Sequence, residues 1–136
     1  MKTIHFEGKI KLNDDDELEL EDSYQLLSKE IANEIKTDIS SKHQEDEYEV
    51  DISIYKPNIF FRFYVSDEKC SLEEAVKGHL EELFGALDIY TTWYGYSEYT
   101  IEGYSTDNFT IGNHDLNKIL KSYVGKYIHI LIDVKD

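Results

Sequence analysis

The side chains in this 136-residue chain that could do chemistry are five histidines, one cysteine and an unusual density of carboxylates. The histidines are His5, His43, His79, His114 and His129. None stands at zinc-ligand spacing from another histidine or from Cys70, so spacing predicts no metal site, and no cofactor motif is present. His129 lies inside the apolar run YIHILIDV and reads as a hydrogen-bonded core histidine. His114-Asp115 precedes a predicted helix, where the pair would serve acid–base work or anion binding. Asp115 or Asn113 as an ordinary N-cap accounts for the same residues. Asp14-Asp15-Asp16-Glu17 lacks the glycine and the distal glutamate of an EF-hand loop. No residues are assigned a catalytic role, and the expected activity is binding.

The carboxylates outnumber the cations by 29 to 14, a formal charge of −15. Such a charge excludes direct nucleic-acid binding, which needs Lys and Arg, and Arg62 is the sole arginine. It disfavours anionic membrane surfaces too. A basic protein is the partner that remains, and the commonest large basic surfaces are nucleic-acid-binding grooves. Glu17, Glu19 and Glu21 share one face of a predicted strand, as do Glu47, Glu49 and Asp51. Residues two apart on a strand repeat at about 6.7 Å, close to the spacing of phosphates along a nucleic-acid strand. With Asp14, Asp15, Asp16, Glu30, Glu34, Glu45 and Asp46, these rows form the expected partner-binding surface. Their alternative reading is a solvated face that only maintains solubility. The aromatic series Tyr90, Trp93, Tyr94, Tyr96, Tyr99 and Tyr104 is the alternative interface, since Tyr and Trp are favoured anchors.

In size, charge and compactness the chain resembles small acidic inhibitors of phages and mobile elements, the anti-CRISPR and anti-restriction DNA mimics. It also resembles immunity proteins that neutralise nuclease toxins. No motif carries this resemblance and no residue roles transfer with it. It implies an inhibitor that occupies the basic groove of a nuclease or other nucleic-acid effector. The alternatives are a structural or assembly protein of a phage or conjugative element, forming homo-oligomers through the aromatic strands, and a small-ligand binder or enzyme using His114 and Asp115.

The elements that must position these residues follow from periodicity. Tyr127–Val134 is apolar on both faces and is expected to be a central strand. Thr3–Leu12 alternates as a half-buried strand and is hairpinned through Asn13–Glu17 to a short strand at Leu18 and Leu20. Asp22 with Gln25 predicts a helix start, and Leu27, Ile31, Ile35 and Ile39 its apolar stripe. His43–Glu49 reads as an acidic connection. Val50–Ile54 and Ile59–Val65 read as two antiparallel strands joined by a Lys56-Pro57-Asn58 turn. Ser71 with Glu74 predicts a second helix running to Gly85. Leu87–Tyr94 and Tyr96–Tyr104 read as strands broken at Gly95, with a short strand at Phe109–Ile111. A third helix carries Leu116, Ile119, Leu120 and Tyr123.

Residues 1–136 are expected to form a single compact α+β domain, a mainly antiparallel twisted sheet of about six or seven strands with three helices, ordered ββ-α-ββ-α-ββ-α-β. A lone cysteine excludes an internal disulfide. With no signal-peptide run at the N-terminus and no membrane-length apolar stretch, the expected location is cytoplasmic, the host cytoplasm if phage-encoded.

Overall fold

Alternating apolar residues bury one face of the first strand, and a run apolar on both faces places the last strand inside the sheet. The computed structural model describes residues 2–23, 25–35, 38–44, 47–97 and 100–135; the side chains of 38–44, 47, 50, 93, 96, 97, 100, 101, 104 and 107 fall outside that description. In chain order the elements are β1 (Lys2–Leu12), β2 (Leu18–Leu20), α1 (Leu27–Ile35), β3 (Asp38–Gln44), β4 (Glu47–Ser66), α2 (Leu72–Ala75), β5 (His79–Ser97), β6 (Thr100–Ile111), β7 (His114–Asp115), α3 (Leu116–Lys121) and β8 (Tyr127–Val134). The result is a compact α+β domain with a curled, antiparallel sheet ordered β2-β1-β8-β4-β5-β6-β7, and β3 pairs β4 outside this path.

β8 lies between β1 and β4, as its double apolar face requires. Ile128, Ile130 and Ile132 are fully buried and pack with Ile4, Ile10, Phe61 and Phe63 in the main core. α1 contributes Leu27, Ile31 and Ala32 to that core, and α3 contributes Leu116 and Leu120. The opposite face of β8 carries Tyr127 and His129, and both are also buried.

Several local expectations are corrected. The first helix starts at Leu27, not Asp22, and ends at Ile35. Asp22 sits in a turn at φ 69°, and Ile39 belongs to β3. In the acidic stretch expected to be a connection, His43 and Gln44 of β3 pair with Tyr48 and Glu47 of β4. Lys56-Pro57-Asn58 does not reverse the chain. The register slips between Lys56 and Ile59, Asn58 takes φ 61°, and one twenty-residue strand continues through the irregularity. Pro57 brings no amide to the ladder, and a bulge is where a sheet tolerates that.

The second helix is a further correction. Ser71 caps it, accepting the Glu74 amide at 3.3 Å, but it ends at Ala75. Leu80–Phe84 is strand, not helix, because residues 60–64 of β4 need a partner on the side away from β8, and Phe60 to Tyr64 pair in register with Phe84 to Leu80. Pairing with a buried aromatic strand outweighs local helix propensity. Gly95 remains within β5, and Phe109–Ile111 is the end of β6. Among the described residues, no helix is long and apolar enough to cross a membrane.

Candidate functional site

Antiparallel pairing of β1 with β8 sets Glu7 opposite His129 and His5 opposite Leu131. On that face of the sheet the His5 Nε2 and His129 Nδ1 atoms are 3.0 Å apart, with the rings stacked at 5.2 Å. His129 is 1% exposed, and its Nε2 lies 2.7 Å from the Cys70 carbonyl oxygen, on the loop between β4 and α2. A carbonyl only accepts, so Nε2 carries a proton. In the neutral ring Nδ1 is then a bare lone pair, and His5 Nε2 donates to it. Glu7 Oε2 accepts the Tyr127 hydroxyl at 2.8 Å and lies 3.6 Å from His129 Nε2. Burial, followed by the bond to Glu7 and its negative charge, pushes the Tyr127 phenol up to about 12, so it remains a donor. His5, Glu7 and His129 present ligand-type atoms within 4.8 Å of one another.

Glu7 and Tyr127 also line a cleft of about 610 Å³. Its other walls are Gly8 and Lys9 of β1, Glu21 and Asp22 after β2, and Asp67, Glu68 and Lys69 after β4. Five carboxylates thus face two ammonium groups. Asp67 is paired with Lys126, which holds its carboxyl below the usual range by a hydrogen bond and by charge. A second cleft, of about 270 Å³, adjoins through Asp67. On its wall His79 Nε2 lies 3.1 Å from both Glu81 Oε1 and the Tyr123 hydroxyl.

The expected acidic rows are differently placed. Asp14, Asp15 and Asp16 are exposed in the β1–β2 turn, where Asn13 Oδ1 accepts the Asp15 and Glu17 amides. Glu17 does not point freely into solvent: its Oε1 accepts the Thr106 amide at 3.1 Å, beside an irregularity in the β5–β6 ladder. Glu19 is buried, 3.5 Å from Lys11 Nζ and bonded to Asn13 Nδ2 at 3.1 Å. Glu17 and Glu19 therefore fasten the edge of the sheet, and of that row only Glu21 is exposed and in the cleft. Glu30 accepts the Ser23 hydroxyl, and Glu34 is exposed. Glu49 and Asp51 are half-buried, with Asp51 accepting the Thr92 hydroxyl at 2.9 Å. Glu45 and Asp46 lie outside the described residues, and so does the Glu47 side chain.

Of the aromatic series, Tyr90 is 37% and Tyr94 49% exposed. Tyr99 lies outside the described residues, as do the side chains of Trp93, Tyr96 and Tyr104. Asp115 is the N-cap of α3, accepting the Lys118 amide at 3.3 Å, and His114 is exposed beside it. Neither is among the residues lining the two clefts. Sequence reading missed Glu7, Tyr127, Asp67 and Glu68. The only local signal was polar alternation at His5 and Glu7, and which strand would meet them was not written locally. No protein-family model matches the chain, and comparisons with curated proteins and with solved structures found no match.

Proposed function

We propose that the protein is a non-catalytic binding protein that takes a small organic cation, an amine or guanidinium compound, into the acidic cleft beside β1. The observation that supports this is the excess of carboxylates in a concave space: Glu7, Glu21, Asp22 and Glu68, beside an Asp67 already paired to Lys126, against Lys9 and Lys69 in about 610 Å³. That volume is in the range of small-molecule sites, roughly 300–1,000 Å³. Concave walls of low dielectric concentrate the field of like charges, which raises the local concentration of cations. Glu21, Asp22 and Glu68 make no side-chain hydrogen bond or ion pair among the described residues, so their charge is available to a ligand. Tyr127 adds an aromatic lining that suits a guanidinium or ammonium group.

A second reading keeps the acidic inhibitor of a basic nucleic-acid-binding effector, acting in the cytoplasm. Exposure of Asp14, Asp15, Asp16 and Glu34, together with the charge of −15, favours it. Calorimetric titration with a linear polyamine and with an arginine ester separates the two. For the small-cation reading, binding is saturable and weakens in Glu21→Gln/Asp22→Asn but not in Asp14→Asn/Asp15→Asn/Asp16→Asn. Binding that falls equally in both variants, or that never saturates, overturns it in favour of a diffuse acidic surface.

A further inference from the structure

We infer that His5, Glu7 and His129 form a binding site for a first-row divalent transition-metal ion of the zinc type. Three observations support the site, and none depends on the cleft taking an organic cation.

First, the donors are of the right kind and already converge. Two imidazoles and a carboxylate offer ligand atoms within 4.8 Å of one another. The two facing nitrogens are 3.0 Å apart. Zinc–nitrogen bonds of about 2.0–2.1 Å at a tetrahedral angle call for roughly 3.3 Å, so the pair opens around an ion by a shift of about 0.3 Å together with a turn of the His5 ring that aims its lone pair at the ion and not at Nδ1. His5 is exposed and can make that shift, while His129 is buried and fixed.

Second, the tautomer is set for coordination. The bond from His129 Nε2 to the Cys70 carbonyl holds the proton on Nε2 and leaves the Nδ1 lone pair facing His5. Such an outer partner orients a ligating imidazole and raises its basicity. When the ion enters, the His5 proton moves from Nε2 to Nδ1, and both imidazoles coordinate as neutral ligands with no proton lost.

Third, the carboxylate is held from outside as well. Tyr127 donates to Glu7 Oε2, leaving the second oxygen as a lone-pair donor. Three protein ligands leave an open position for water or a further ligand. Imidazole donors favour zinc, cobalt, nickel or copper over magnesium and calcium, which prefer all-oxygen sites.

The test is calorimetric titration of the full chain with Zn²⁺ in excess Mg²⁺ and moderate salt, which saturate the general acidic surface. Co²⁺ absorption in the visible range reports the ligand geometry. One equivalent is expected to bind. His5→Ala should abolish this binding, Glu7→Gln should weaken it at least tenfold, and Tyr127→Phe, which removes only the outer donor, should weaken it roughly tenfold. His79→Ala, in the second cleft, should bind as wild type, and far-ultraviolet circular dichroism of each variant confirms folding. Zinc binding that survives His5→Ala, is lost in His79→Ala or is displaced by Mg²⁺ overturns the inference, and so does the absence of binding.

Discussion

His5 and His129 are 124 residues apart in the chain and 3.0 Å apart at their ring nitrogens. The β1–β8 register brings them together, and each neighbour on that face adds a constraint. Cys70 fixes one imidazole, Tyr127 fixes the facing carboxylate, and that carboxylate begins the wall of the acidic cleft. Cleft and histidine pair therefore share Glu7 and Tyr127, while His5 and His129 belong to the pair alone.

The placement of Glu17 and Glu19 predicts opposite outcomes for two sets of charge reversals. Glu19→Lys sets a like charge beside Lys11 at a buried position and should cost about 2–4 kcal/mol in urea unfolding. Asp14→Lys, in the exposed turn, should change stability by less than about 0.5 kcal/mol. Equal effects would mean that Glu19 is not buried as described. Reversing Glu17, Glu19 and Glu21 together would thus report on folding before it reported on any partner.

Gly85 predicts a steric effect inside β5. It has φ 156°, and a Cβ built there would lie 2.9 Å from the Gly112 backbone. Backbone cannot swing aside as a side-chain tip can, so Gly85→Ala should destabilise the fold by about 1–3 kcal/mol. An unchanged melting temperature would show that β5 and the β6–β7 turn do not cross this closely.

How much of this was legible in the sequence depended on how local the physics was. The limits of β8 could be read because a strand apolar on both faces has one stable place in a sheet. The Ser71 cap could be read, and that of α3 narrowed to Asp115 or Asn113, because a cap is settled within three residues. Leu80–Phe84 could not, since Leu72, Ala75, Val76, Leu80 and Leu83 fit a helical stripe until β4 provides a partner. Pro57-Asn58 carries the chemistry of a turn, and only the ladders on both sides keep it within one strand. The candidate site was the least legible part. Its residues come from both ends of the chain and from the loop after β4, and nothing near His5 names His129.

Lys29 predicts a pH effect. Burial, opposed by the charge of Glu30, pulls its ammonium from the ordinary 10.5 down to about 8. Between those values the unfolded chain holds a proton that the folded one has released, so stability rises with pH through that window. At neutral pH the folded chain instead carries the cost of a partly desolvated charge. Lys29→Met should remove this dependence. The stability of wild type relative to the variant should climb between about pH 8 and pH 10.5, as measured by urea midpoints. A constant difference would place Lys29 in water.

The most direct test of the cleft reading is a two-dimensional amide NMR titration with a linear polyamine at moderate salt. Saturable shifts are expected only at Gly8, Lys9, Glu21, Asp22, Asp67, Glu68 and Lys69, the residues that surround the acidic space with Glu7 and Tyr127. Shifts centred on Asp14–Asp16, on the strand carrying Tyr90 and Tyr94, or spread over all exposed carboxylates would contradict it.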